Sequence, residues 1–206
     1  MTEDRFPPEE DVKYGRIYGG VGWPGKRPGF VVMVGELAEL APGLGRYPLL
    51  ILNEYEADSM IDLVKKCTGF DSYYKPETWL GDSEKTAGRE FIFEVNKEFR
   101  SPHRRDFRLT HSLLLNMPDF FTYLYNALRR LLDKEKKILT LGAKSRLRAD
   151  LSMIQPEDIE SIKLGQFPSI EALGFAALAL EKSQFRDFDN RPRQMVADSD
   201  YDILNC

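Results

Sequence analysis

The stretch from residue 19 to residue 36, GGVGWPGKRPGFVVMVGE, holds two overlapping patterns that bind nucleotide phosphates in other proteins. Gly20, Gly22 and Gly25 match G-x-G-x-x-G, and the residues from Gly20 to Lys26 match G-x-x-x-x-G-K. Both patterns need a helix directly after the glycines, because the helix N-terminus supplies the N–H groups and the dipole that bind phosphate. The residues that come next therefore decide whether this loop has phosphate chemistry.

Those residues fit neither phosphate site. Arg27 stands where the second pattern needs a Ser or Thr to hold magnesium. Pro24 removes one N–H from the supposed cradle. Pro28 and Gly29 form a turn dipeptide, and a strand-like run follows them. We therefore predict that GWPGKRPG, residues 22–29, links a β-hairpin and binds no nucleotide.

Positive charge concentrates in three runs, HRRDFR, LRRLLDKEKK and AKSRLR. Such runs are most often solvated surfaces, but runs that converge on one side of a sheet would hold the phosphates of a nucleic acid. Neither His103 nor His111 lies in a spacing typical of zinc ligands. The candidates for nucleic-acid contact are Arg104, Arg105, Arg108, Lys144, Arg146 and Arg148.

The elements that must position these residues begin with three strands, YGRIYGGVGW, GFVVMVGEL and RYPLLILNEYE, which are rich in aromatic and β-branched residues. The short links between them favour antiparallel pairing. The later residues predict helices and strands in alternation, with helices at 57–70, 84–99, 118–135 and 167–183 and strands at 77–82, 108–115 and 137–142. Residues 153–165 predict a turn or a capped surface helix. This order predicts an α/β fold with a mixed sheet and helices on both faces.

The composition is that of one globular domain with two tails. The chain has 206 residues, a net charge of -4, 42% hydrophobic residues and no apolar run long enough to span a membrane. Two cysteines make no disulfide framework. We expect a flexible arm at 1–13, a domain at 14–182 and a polar tail at 184–206, in a soluble cytoplasmic protein.

Three short motifs, together with the strand order, carry a resemblance to a known family. GGVGW has a glycine–hydrophobic–aspartate form with Gly22 in place of the aspartate, TWLGDS ends in an acidic residue at Asp82, and FPSIEALGFAAL contains Glu171 within Glu-Ala-Leu. These features resemble the nuclease domain of phage and herpesvirus large terminases, RNase H-like domains that cut concatemeric DNA during packaging. Phe167 and Pro168 depart from the family, which has acidic residues there.

The resemblance implies a two-metal nuclease site. It implies Asp82 and Glu171 as catalytic residues and metal ligands, and Mg²⁺ or Mn²⁺ as the cofactor. Such a site holds two ions about 3.5–4 Å apart among several carboxylates. Gly22 has no oxygen to bridge them, so the central ligand is missing. Other acidic residues near the strand ends are Glu36, Glu54, Glu56 and Asp58.

Both carboxylates also have a structural interpretation. Asp82 would N-cap the helix that follows it, because its side chain can accept from the free N–H groups there. Glu171 lies in a first helical turn, where the dipole favours an anion.

The resemblance therefore implies a terminase-nuclease-like domain of a phage or prophage packaging system, in the cytoplasm of a bacterial host. It would bind double-stranded DNA and be either a weak metal-dependent endonuclease or an inactive relative. The chain has no Walker-type motif, so a packaging ATPase, like the portal protein, would be a separate partner. The alternative is an α/β protein-interaction or structural module without a nucleic-acid role. Basic runs that converge beside Asp82 and Glu171 would favour the first hypothesis.

Overall fold

The computed structural model describes ten parts of the chain, namely residues 14–38, 47–82, 86–98, 109–110, 120–132, 138–141, 145–155, 157, 161–163 and 165–188. The predicted arm at 1–13 lies outside these residues, as do residues 189–206 of the predicted tail.

The protein is an α/β structure built on one mixed sheet of six strands. The strands are β1 (Tyr14–Gly22), β2 (Gly29–Leu37), β3 (Leu49–Ala57), β4 (Thr78–Leu80), β5 (Leu109–Thr110) and β6 (Leu139–Thr140). The helices are α1 (Met60–Tyr74), α2 (Thr86–Glu98), α3 (Phe120–Leu131), α4 (Arg146–Met153) and α5 (Pro168–Phe188). The sheet order is β5-β4-β1-β2-β3-β6.

The first three strands pair antiparallel, as predicted, and the remaining strands join them in parallel. β1 pairs antiparallel with β2, and β2 pairs antiparallel with β3. β4 lies parallel to β1, β5 parallel to β4 and β6 parallel to β3. Only β2 therefore runs against the other described strands, and the C-terminal ends of β1, β3 and β4 lie on the same edge of the sheet.

The link between β1 and β2 is the predicted hairpin. Gly22 pairs with Phe30, and the N–H of Gly25 donates to the carbonyl of Arg27 at 2.9 Å. A strand, not a helix, follows this loop. A phosphate loop would require the opposite, so the glycines serve another purpose.

Each face of the sheet is covered by its own helices. On the α5 face, Val32, Val34 and Ile51 are buried together with apolar residues of α3, α4 and α5. On the α1 face, Val31 and Met33 are buried with residues of α1 and α2. Strand alternation produces this division, because successive side chains of β2 point to opposite faces.

Two features of the helices were not predicted. The sequence of α4 indicates only a basic run, because polar residues such as Arg146 and Arg148 surround its buried Leu147. α5 continues to Phe188, beyond the predicted end of the domain. Within the described residues, no helix has the length and apolar character needed to cross a membrane.

Candidate functional site

The positions singled out by the resemblance meet at one edge of the sheet. Gly20 pairs with Leu80, the last residue of β4, in the parallel β1–β4 ladder. Gly22, at the end of β1, and Asp82, two residues beyond β4, therefore lie at the same edge of the sheet. The first turn of α5 lies against Gly22 through Pro168. Glu171 belongs to that same turn. The fold therefore brings the three motifs to the C-terminal end of β1.

Gly22 is closed off by the helix above it. A Cβ atom at Gly22 would lie 2.6 Å from the carbonyl carbon of Pro168 and 2.7 Å from its Cα. A Cβ atom at Gly20 would lie 2.9 Å from the carbonyl carbon of Ala172, one helical turn later. Real Cβ atoms do not approach backbone atoms this closely, and a helix backbone has no rotamer by which to move away. These glycines allow α5 to pack directly on β1, which is the purpose of the glycine-rich sequence.

Asp82 is buried beside a tryptophan. It is 6% exposed, and its backbone carbonyl accepts a hydrogen bond from Trp23 Nε1 at 2.8 Å. The Trp23 ring in turn contacts Phe91 of α2, with 5.0 Å between the ring centroids. The predicted N-cap role involves residues 83–85, which lie outside the described residues. The main chain at Asp82 thus ties the end of β4 to the end of β1.

Glu171 holds the loop that leads into its own helix. It is 2% exposed, and its Oε1 accepts a hydrogen bond from the backbone N–H of Gly165. Gly165 has a φ of 95°, a left-handed conformation that favours glycine. A carboxylate in the first turn that reaches back to an N–H before the helix is a capping arrangement. This contact agrees with the structural interpretation of Glu171.

Asp150 is a buried carboxylate that the sequence did not single out. It is 4% exposed and lies on α4. Its Oδ1 lies 3.2 Å from Arg27 Nη1 and 3.6 Å from Arg146 Nε, and its Oδ2 accepts from the Ser169 hydroxyl. The guanidinium of Arg27 also lies 4.3 Å from the centroid of the Phe167 ring. A buried charge needs such partners, because removing one partner of a buried ion pair costs about 3–5 kcal/mol.

Glu54 caps α4 from the end of β3. Its Oε2 accepts from the Ser145 hydroxyl at 2.8 Å, and its Oε1 accepts from the Arg146 N–H at 2.6 Å. Burial raises the pKa of Glu54, these two hydrogen bonds lower it, and the nearby charge of Asp150 raises it again, with a net upward shift. Oε1 of the neighbouring Glu56 lies 3.8 Å from Arg146 Nη2. Both oxygens of Glu54 are thus engaged at a helix N-terminus.

Glu36 is far from this edge of the sheet. Gly22 pairs with Phe30 at one end of β1, whereas Ile17 pairs with Gly35, next to Glu36, near the other end. A Cβ atom at Gly15, close to the start of β1, would lie 3.1 Å from Glu36 Oε1. In the middle of β1, burial and then the charge of Glu77 raise the pKa of Tyr18 to about 12. Glu36 therefore cannot take the place of the missing ligand at Gly22.

The predicted nucleic-acid contacts divide into two groups. Arg104, Arg105, Arg108 and Lys144 lie outside the described residues. Arg146 is engaged with Glu56 and Asp150, and Arg148 Nη2 donates to the carbonyl of Leu141 at 2.8 Å. Both of these arginines therefore have intramolecular partners, and both residues remain exposed to solvent.

The acidic residues at this edge do not fit a two-metal site. Within the described part of the chain, no group of three or more His, Cys, Asp or Glu side chains is arranged to hold a metal ion. Oxygens of Glu54, Asp150 and Glu171 are occupied by N–H, hydroxyl or guanidinium groups. At Gly22, where the resemblance implies a bridging ligand, the backbone of α5 occupies the space that a side chain would need.

Comparison with known proteins adds no relative: no family model, curated protein or solved structure matches the chain. The functional interpretation therefore depends on the residues and on the geometry of this edge.

Proposed function

We propose that the chain is a terminase-nuclease-like domain of a phage or prophage DNA-packaging system, with an RNase H-like fold and without nuclease activity. Its role would be to bind double-stranded DNA or another packaging component. The resemblance in the sequence motivates the family, and the order of three antiparallel strands followed by parallel strand–helix units agrees with the fold it implies.

One observation supports the proposed absence of nuclease activity. The first turn of α5 lies on Gly22, where the resemblance places the bridging aspartate, and Pro168 leaves no room there for even a methyl group. Two-metal cleavage needs a carboxylate between the two metal ions, because the oxygens of that one side chain must bind both ions. Gly22 thus lacks the carboxylate, and the first turn of α5 occupies the space that a carboxylate would need.

A nuclease assay tests this proposal directly. Supercoiled plasmid incubated with the purified chain and Mg²⁺ or Mn²⁺ should remain intact, and the Asp82→Asn and Glu171→Gln variants should behave like the wild type. Manganese-dependent nicking by the wild type that either variant abolishes would show that Asp82 and Glu171 form an active site, and the proposal of an inactive domain would then be wrong.

DNA binding requires a separate test. The basic run at 103–108 should contact phosphate, so Arg104→Ala/Arg105→Ala should weaken binding to long duplex DNA and reduce its salt dependence. A matched control is Lys65→Ala/Arg89→Ala, which removes two exposed cations from α1 and α2. An equal loss of DNA affinity in the two double variants would indicate that the chain binds DNA only through nonspecific attraction to positive charge. Fluorescence anisotropy across a salt series would measure both effects.

A second function is favoured by the intramolecular contacts of three described arginines. Arg27, Arg146 and Arg148 all have intramolecular partners, and the net charge of the chain is -4. A protein-interaction module would show these features without any affinity for DNA. Absence of duplex binding at low ionic strength, where electrostatic attraction is strongest, would support that function instead.

A further inference from the structure

The first turn of α5 is fixed from several directions at the point where it covers Gly22. Ser169, in this turn, donates its hydroxyl to Asp150 of α4. Phe167, directly before the turn, lies under the Arg27 guanidinium, which itself binds Asp150. Asp150 therefore joins the β1–β2 hairpin, α4 and the beginning of α5 through a single carboxylate.

Asp150 is the central member of the contacts among Asp150, Ser169 and Arg27, because its carboxylate binds both of the others. A carboxylate accepts several hydrogen bonds at once, and bonds to a charged acceptor are about twice as strong as neutral ones. Burial strengthens these hydrogen bonds further, since little water competes at a residue that is 4% exposed. Ser169, by contrast, provides one donor, and Arg27 is only partly buried.

We propose that Asp150, Ser169 and Arg27 form a latch that keeps the first turn of α5 closed over the C-terminal end of β1. Release of the latch would let residues 165–172 open locally, with α5 beyond that turn still held by its apolar contacts in the core. The latch uses the guanidinium groups of Arg27 and Arg146, not a divalent ion, to balance the charge of Asp150.

Hydrogen–deuterium exchange followed by mass spectrometry tests the latch. Ser169→Ala removes the donor on α5, and Ser152→Ala is its matched control, because Ser152 lies on α4 and donates only to the carbonyl of Ala149 in its own helix. Exchange in peptides that cover 165–172 should accelerate by about tenfold in Ser169→Ala, since a hydrogen bond to a charged group is lost. It should remain at the wild-type rate in Ser152→Ala.

Asp150→Asn should give the larger effect in the same peptides, because it weakens the contacts to Ser169 and both arginines together. Peptides from α1 and α2 report global unfolding and should exchange as in the wild type in Ser169→Ala. Unchanged exchange at 165–172 in Ser169→Ala, or equal acceleration in all peptides, would overturn the latch.

A metal titration separates the latch from a cation site. Mn²⁺ added to the wild type should leave exchange at 165–172 unchanged. Slower exchange on addition of Mn²⁺, lost in Asp150→Asn, would show that Asp150 binds a metal and would overturn the charge balance proposed here. The latch would exist whether or not the chain contacts DNA, so negative DNA-binding and plasmid assays leave it intact.

Discussion

The two faces of β1 are closed by different kinds of neighbour. On the α5 face, Gly20 and Gly22 lie against the helix backbone at Ala172 and Pro168. On the α1 face, Gly19 lies against the ring of Trp79, whose Nε1 donates to Asp71 at 3.1 Å. A ring can rotate or shift if its hydrogen bond is given up, whereas a helix backbone has no rotamer that would make room for an added methyl group. The glycines of β1 are therefore needed for two different reasons: two of them make room for a helix backbone, and one makes room for an aromatic ring.

The largest effect that follows from this comparison is at Gly22. We expect Gly22→Ala to reduce the free energy of unfolding by about 3 kcal/mol or more, because overpacking against a fixed backbone displaces α5. Gly22→Asp should be at least as harmful, and it should not create a metal ligand, contrary to what the sequence motif alone suggests. Urea denaturation and plasmid cleavage with Mn²⁺ measure the two outcomes. A stable Gly22→Asp variant that cleaves DNA would contradict this account of the α5 face.

We expect a smaller difference in stability between the Gly20→Ala and Gly19→Ala variants. A Cβ atom at Gly20 would lie 2.9 Å from the carbonyl carbon of Ala172, and a Cβ atom at Gly19 would lie 2.5 Å from Cδ2 of Trp79 and closer still to its Cε3. We expect Gly20→Ala to cost more stability, although its closest carbon is further away, because Trp79 can move at the cost of its bond to Asp71. The intrinsic fluorescence should change more in Gly19→Ala. Greater destabilisation by Gly19→Ala would show that the packing around Trp79 is the more rigid.

The sequence predicted the parts of this arrangement that depend on local signals. The hairpin follows from Pro24, Pro28 and their neighbouring glycines, and α5 from an almost unbroken apolar run. The sequence also located Gly22, Asp82 and Glu171, which the fold brings to one edge of the sheet.

Tertiary contacts were not predictable in the same way. Asp150 binds Arg27 across 123 positions of the chain, and Glu54 caps α4 across 91 and 92 positions. Neither pair has a spacing that a local pattern could reveal. The helix that carries Asp150 was itself missed, because its polar residues dominate its short sequence. The closure of Gly22 likewise depends on the approach of α5, which no motif in β1 describes.

The α5 face also carries a half-buried charge whose pH dependence can be measured. The pKa of Glu54 is raised above its ordinary value of 4.5, so the folded state binds the proton more tightly than the unfolded state. Its contribution to stability is therefore full below the unfolded pKa and is lost as the pH rises through the folded pKa. Glu54→Gln keeps an acceptor for the Arg146 N–H and removes this titration.

The corresponding experiment compares wild type and Glu54→Gln by urea denaturation at neutral pH and near pH 4.5. The stability of the wild type relative to the variant should increase on acidification, because only the wild type gains a proton at this position. A constant difference between the two proteins would mean that Glu54 has the same pKa in the folded and unfolded states.

The smallest expected effect compares one helical glycine on each side of the sheet. Gly69 of α1 has no neighbour within 4 Å of a Cβ position, whereas a Cβ at Gly174 of α5 would lie 2.5 Å from Leu124 Cγ. Gly69→Ala should stabilise the protein by about 0.5–1 kcal/mol, because alanine restricts the unfolded chain and favours the helix. Gly174→Ala has the same helical advantage but must displace Leu124, which is fully buried, so it should destabilise. Thermal unfolding would show the opposite signs, with Gly69→Ala higher in Tm by about 1–4 °C. Equal shifts in the two variants would show that Leu124 can make room and that the α5 face is less tightly packed than its glycines indicate.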